Sequence, residues 1–203
     1  MKRIPVLFLL IGVCSSFSPA LAEEKSAVEI MNKAFKAIKL DGAEAVARLV
    51  IYDGRGNKRV RKTATISKLY DDGATEKRVI RFVAPPDVKG TGLLTYDYEK
   101  KNDDMWLYLP ALRKTRRIVA SEKAKSFMGS EFTYADITPP QVEDFNHKIL
   151  KSEKAGGVDC WVIESIPKND DIAEENGFSK RIGHIGKSDY TIRGSVYYDL
   201  DGE

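Results

Sequence analysis

Short strand-like segments separated by turn-forming residues dominate this chain. Residues 48–53 are followed by Gly54-Arg55-Gly56-Asn57 and then by residues 58–70, and Asp71-Asp72-Gly73 separates these from residues 75–83. Glycine, asparagine and aspartate tolerate the backbone conformations that tight hairpin turns require. Two consecutive antiparallel hairpins are therefore predicted, and they restrict the chain to a β-rich fold.

One amphipathic helix precedes these hairpins. Ser26 and Glu29 have the spacing of a capping box, and apolar residues then recur at helical spacing as far as Ile38. The pattern predicts a helix over residues 27–39. Its apolar stripe needs a partner surface.

Further strand-like segments continue to the end of the sequence, and residues 121–128 have the pattern of a short helix. Residues 168–188 are polar and contain glycine, so we interpret them as a long loop. The order of elements predicts an α+β fold with one large meandering antiparallel sheet. The predicted later strands are residues 93–98, 105–109, 115–119, 147–153, 158–166 and 190–200.

The segment at residues 106–118 has an unusual composition. Trp-Leu-Tyr-Leu-Pro at its start is apolar or aromatic on both faces of a strand, whereas a strand with one face in water alternates apolar and polar residues. Four cations follow: Arg113, Lys114, Arg116 and Arg117. Two interpretations stay open: a surface that meets amphiphiles, or a buried strand followed by a solvated hairpin.

The N-terminus has the pattern of a secretory leader. Lys2 and Arg3 precede a short apolar run, and Ala20-Leu21-Ala22 forms a small-x-small cleavage site. We predict a signal peptide over residues 1–22, cleaved after Ala22, and a single domain over residues 23–203. Cys160 is then the one cysteine left, so an internal disulfide is excluded.

Composition and motifs favour no catalytic, metal or nucleic-acid function. The 33 basic and 30 acidic residues nearly balance, whereas a dedicated nucleic-acid-binding domain is strongly basic. His147 and His184 lack neighbours at metal-ligand spacing, and Cys160 has the setting of a buried apolar residue. We therefore predict a protein that is not an enzyme and holds no metal or cofactor.

Apolar and aromatic residues cluster in the middle third of the chain. They either fill a core or line a cavity in a concave sheet, and Met128 beside Phe127 would make such a lining adaptable. The arginines that follow residue 112 form either a charged hairpin edge or a contact to an anionic head group or a partner. The candidate lipid-binding residues are Phe82, Leu94, Trp106, Tyr108, Phe127, Met128, Phe132 and Tyr134, and the candidate head-group or partner contacts are Arg113, Arg116 and Arg117.

Three sequence blocks carry a resemblance to a known family. They are Phe-Val-Ala-Pro-Pro-Asp-Val-Lys-Gly-Thr-Gly-Leu-Leu at residues 82–94, the segment at residues 106–118, and Phe-Met-Gly-Ser-Glu-Phe-Thr-Tyr-Ala-Asp-Ile at residues 127–137. In this order they resemble the LolA-like outer-membrane lipoprotein-sorting proteins. The likeness is nearest to the branch associated with exporters of the resistance-nodulation-division type.

The resemblance implies a strongly curved antiparallel sheet, a half-open β-barrel, wrapped around one or more helices. It also implies a periplasmic carrier that holds acyl chains of a lipoprotein or lipid in an apolar cavity. An inner-membrane exporter and an outer-membrane acceptor are the implied partners. The alternative is a non-enzymatic envelope interaction or sensor module with the same fold. Either the last strand pairs elsewhere or strands follow residue 203; we favour the latter because Asp201-Gly202 has a hairpin-turn pattern.

Overall fold

The computed structural model describes residues 25–203, so the predicted signal peptide and its cleavage site lie outside the described residues. Two α-helices and ten strands form this part of the chain. They are α1 (Ala27–Ala37), β1 (Gly42–Tyr52), β2 (Lys58–Tyr70), β3 (Thr75–Ala84), β4 (Gly92–Tyr98), β5 (Asp104–Leu109), β6 (Lys114–Ile118), β7 (Phe145–Ala155), β8 (Val158–Pro167), α2 (Asp170–Asn176), β9 (Lys180–Gly186) and β10 (Ile192–Tyr198).

Helix α1 begins at the predicted capping box. The Glu29 backbone N–H donates to the Ser26 hydroxyl at 3.2 Å, and the Glu29 carboxylate accepts from the Ser26 backbone N–H at 3.1 Å. Both bonds satisfy N–H groups that a helix start leaves without an intrahelical partner. The predicted helix start is confirmed, and the helix ends two residues earlier than the sequence pattern predicts.

The first hairpin forms where the turn residues predict it. Asp53 accepts hydrogen bonds from the backbone N–H groups of Arg55 and Asn57, at 2.9 and 2.8 Å. Gly56 has a positive φ of 81°, which an L side chain rarely adopts. This turn fixes the register of β1 against β2, with Tyr52 opposite Lys58.

The strands form two antiparallel sheets, where the sequence predicted one. Strands β1 to β6 form a six-stranded meander, and β7 to β10 form a four-stranded sheet in the order β10-β9-β8-β7. The predicted α+β class with antiparallel pairing is confirmed. The sheets separate because the connection after β6 contains Pro139-Pro140 and three short 3₁₀ turns, so β7 does not continue the meander as a hairpin with β6.

Two local predictions were wrong. Residues 121–128 form no α-helix; a 3₁₀ turn at Ala120–Glu122 is followed by irregular backbone. The predicted loop at residues 168–188 contains α2 and β9. Helix α2 has only seven residues, too few to show a helical repeat, although Asn169 caps its start and Gly177 ends it in a left-handed conformation.

Two hydrophobic clusters stabilise the fold. In the first, α1 packs its apolar stripe against the second sheet, with Ile30, Met31 and Phe35 beside Ile163 and Ile185. In the second, the loop between β6 and β7 covers one face of the first sheet. No helix within residues 25–203 combines the length and the apolar character needed to cross a membrane.

Candidate functional site

The predicted lipid-binding residues lie on opposite faces of the first sheet. Successive side chains of a strand point to alternate faces. Phe82 of β3 therefore points toward the loop after β6, as do the buried Leu93 and Leu107. Leu94 and Trp106 are paired neighbours on the opposite side. We call these two sides the inner face and the outer face.

The inner group forms a packed cluster. Phe82, Phe127 and Tyr134 are buried, and the Phe127 ring centroid lies 5.8 Å from Phe82 and 5.6 Å from Tyr134. Met128 packs at the edge of this cluster, and its backbone carbonyl accepts a hydrogen bond from Arg61. These side chains fill the space beneath the sheet.

Phe132 belongs to neither face of the sheet. It lies in the loop that covers the inner face, its side chain is 55% exposed, and its backbone carbonyl accepts a hydrogen bond from the Phe127 N–H at 2.6 Å. The structure thus keeps Phe132 near the inner cluster but outside its core.

The outer group lines a shallow apolar groove. Trp106 lies between Leu94 of β4 and Arg117 of β6 in the strand register, and its ring meets Tyr96 edge to face at 5.3 Å. Tyr108 lies opposite Gly92, where the missing side chain leaves space. The groove has a volume of about 440 Å³ and is lined by Val79, Gly92, Leu93, Leu94, Tyr96, Trp106, Tyr108 and Thr115.

The three predicted arginines do not form one patch. Arg116 and Arg117 are adjacent in β6 and point to different faces; Arg116 pairs with Glu122 at 2.8 Å, and Arg117 pairs with Asp104. Arg113 ends the 3₁₀ turn before β6 in a left-handed conformation. All three side chains are exposed, so each is accessible to an anionic group, at a separate place on the surface.

A cavity between the two sheets was not predicted from the sequence. It has a volume of about 260 Å³, and its apolar lining combines Phe35 and Ile38 at the end of α1 with Phe178, Ile192 and Tyr197. The stripe of α1 was visible in the sequence, but Phe178 lies in the segment that was interpreted as a loop. The remaining lining residues are Arg78, residues 135–140, Asn176 and Arg181.

A second cavity adjoins the first at Phe35, Pro139 and Pro140. Its volume is about 340 Å³, and its rim is charged. Lys39 pairs with the buried Asp97 at 3.1 Å, and burial raises the pKa of the Asp97 carboxyl. Both cavities therefore combine apolar side chains with charged ones, Arg78 and Arg181 in the first and Lys39 and Asp97 in the second.

Two further features bear on chemistry. Among residues 25–203, no group of three or more histidine, cysteine, aspartate or glutamate side chains is placed to hold a metal ion. Cys160 is fully buried in β8, as its sequence setting predicted.

Comparison with known proteins identifies the fold. A candidate outer membrane lipoprotein-sorting protein domain from Vibrio parahaemolyticus is 30% identical, with 87% of this chain and 73% of that chain covered and a TM-score of 0.76. A DUF1329 family protein from Desulfovibrio piger is 29% identical, with 87% and 74% covered and a TM-score of 0.77. A LolA superfamily protein from Nitrosomonas europaea shares the fold at 15% identity, with 89% and 74% covered and a TM-score of 0.60.

Sequence comparison adds a family match. Residues 74–203 match the model of a family described as uncharacterized protein. No curated protein matches the chain. The class is thus a LolA-like, lipoprotein-sorting type of fold. The chain belongs to the LolA-like family, as the three sequence blocks predicted.

Proposed function

We propose that this protein is a non-enzymatic periplasmic carrier that holds acyl chains of a lipoprotein or another lipid between its two sheets. The observation that carries the proposal is the inter-sheet cavity, where the apolar side chains of Phe35, Ile38, Phe178 and Ile192 line open space that also borders Arg78 and Arg181. Apolar cavities with a few polar groups at the edge are typical ligand sites. Membership of a lipoprotein-sorting family supports the same function.

In the proposed carrier, the inner cluster of Phe82, Phe127 and Tyr134 packs behind one wall of this cavity. Ile137 packs against the cluster of Phe82, Phe127 and Tyr134 and also lines the cavity. The first sheet would curve around α1 and the loop as a half-open barrel and enclose the acyl chain. Arg113, Arg116 and Arg117 would contact the lipid head group or a partner protein.

The energetics favour transfer without strong retention. Burying one methylene group removes about 0.8 kcal/mol of unfavourable hydration, so a chain of about 14 methylenes gains on the order of 11 kcal/mol relative to water. A bilayer offers the same gain, so movement between membrane and carrier is close to neutral. Direction must then come from an inner-membrane exporter and an outer-membrane acceptor, the partners that we propose.

Native mass spectrometry of the protein purified from a periplasmic extract tests this function. We expect co-purifying acyl lipid at one site per chain. In binding titrations with dansyl-undecanoic acid, Ile38→Gln should weaken binding several-fold because it replaces apolar surface of the cavity lining with an amide. Val28→Gln is the matched control, since Val28 of α1 is 45% exposed against 51% for Ile38 but does not line the cavity.

Two results would contradict the carrier. One is a protein that contains no lipid and does not bind the acyl probe, which would favour the interaction or sensor module. The other is equal weakening by Ile38→Gln and Val28→Gln, which would place the probe outside the inter-sheet cavity.

A further inference from the structure

The outer face of the first sheet is apolar although nothing in the described chain covers it. Val46, Ile66 and Val79 of three neighbouring strands are 79%, 57% and 46% exposed, and Tyr108 is 41% exposed. An antiparallel sheet with one face in water normally carries polar residues there. Large exposed apolar patches mark interaction surfaces.

The strand register joins these residues into one band. Ile66 lies opposite Val79, Val79 opposite Leu94, and Leu94 opposite Trp106. Val46 occupies the next row of the same face, opposite Ala64. The band runs across β1 to β5 and includes the 440 Å³ groove at Trp106.

Cations surround this band on the same face. Lys77 holds its ammonium 4.4 Å from the Tyr70 ring centroid and 4.8 Å from that of Tyr96. Glu44 and Asp104 are the acidic residues of this face within the six strands, and Asp104 is paired with Arg117. The basic residues at outer-face register positions are Arg48, Lys58, Lys62, Lys68, Lys77, Arg81 and Arg117.

We propose that the outer face of β1–β6 docks on the head-group layer of an anionic bilayer. Tryptophan and tyrosine prefer the membrane–water interface, because an apolar ring and a polar group both find partners there. Lysine and arginine beside them are attracted to anionic head groups. The charge excess of this face is therefore complementary to such a surface.

The mixture of residues favours a bilayer over a protein partner. The centre of a protein–protein interface is depleted in lysine, whereas here Lys68 and Lys77 stand among the aromatic residues. A bilayer interface accommodates both kinds of side chain, since the long lysine stems lie on apolar surface while their ammonium groups reach the head groups. This docking goes beyond the acyl cavity and does not require it to be loaded.

Vesicle co-sedimentation of the purified protein tests the docking surface. We expect binding to vesicles of phosphatidylcholine and phosphatidylglycerol in a two-to-one mixture, weaker binding at high salt, and little binding to phosphatidylcholine alone. Lys68→Gln with Arg81→Gln should lower partitioning roughly tenfold, because each cation near the surface contributes to attraction. Lys148→Gln with Lys154→Gln removes the same charge from exposed positions of the second sheet and should leave binding unchanged.

Fluorescence locates the contact. In a Trp161→Phe background, Trp106 is the remaining tryptophan, and its emission should shift to the blue on anionic vesicles. Three outcomes would overturn the proposal: no vesicle binding, an equal loss of vesicle binding in the outer-face and second-sheet double variants, or capture of an acidic protein by this face with no affinity for vesicles. Ile38→Gln separates the two proposals, since it should weaken acyl binding and leave vesicle binding intact.

Discussion

Asp103 is the residue whose ionisation the fold perturbs most clearly. It accepts a hydrogen bond from the Tyr98 backbone N–H at 3.3 Å, and burial raises the pKa of its carboxyl to about 6 from 3.8. The proton is thus bound more tightly in the folded state than in the unfolded chain. The contribution of Asp103 to the free energy of unfolding therefore falls as pH rises from 3.8 to about 6. Above that window the contribution is constant.

We predict a pH-dependent gain in the free energy of unfolding for Asp103→Asn. Relative to wild type, the variant should gain stability across this window, by up to about 3 kcal/mol, because the amide cannot ionise. Urea titrations of both proteins between pH 4 and 7 measure the difference, in which titrating groups that do not interact with Asp103 cancel. The exposed Asp87→Asn is the control. A flat difference for Asp103→Asn would show that its carboxyl is solvated in the folded protein.

At the scale of elements, the β9–β10 connection depends on a close approach between Gly186 and the Asp189 carboxylate. A Cβ atom added at Gly186 would lie 2.5 Å from Asp189 Oδ1. That oxygen cannot move freely, because it accepts the Thr191 backbone N–H at 3.0 Å and its carboxylate pairs with Arg193. Gly186→Ala should cost about 1–3 kcal/mol through this overpacking.

Gly194→Ala is the matched control for that substitution. Gly194 lies in the partner strand β10, and an added Cβ there meets no atom within 4 Å. Thermal unfolding followed by circular dichroism measures both variants. Equal melting temperatures would mean that the turn relaxes at little cost and that the close contact does not define the connection.

Elements with local signals were predictable from the sequence. The capping box at Ser26 marked α1, and Gly56 with Asn57 marked the first turn, since the causes are side chains a few residues apart. Helix α2 was missed because its seven residues, about two turns, are too few to show a periodicity. The proline pair at 139–140 indicated a break, but which strands pair after a break depends on contacts far apart in sequence.

The candidate site was less predictable for the same reason. Trp106 and Leu107 are both apolar, so alternation could not tell which one faces the inner cluster; the structure places Leu107 there and Trp106 in the outer groove. The inter-sheet cavity combines Phe35 of α1 with Phe178 and Tyr197, which lie more than a hundred residues further along the chain. Only the packing of the two sheets brings them together.

At the scale of the whole molecule, the proposed carrier should be stabilised by its cargo. The cavity has walls from α1 and from both sheets, so an occupant would contact parts that otherwise share few contacts, and unfolding would require its release. A ligand that binds only the folded state, present at a concentration a hundred times its dissociation constant, adds about 2.7 kcal/mol to the free energy of unfolding.

We therefore expect dansyl-undecanoic acid to raise the melting temperature of wild type and Val28→Gln by several degrees. Ile38→Gln should show a smaller rise at the same probe concentration. If all three proteins rise equally, the stabilising site lies elsewhere, and the outer groove at Trp106 becomes the place to test next, with Trp106→Ser as the variant.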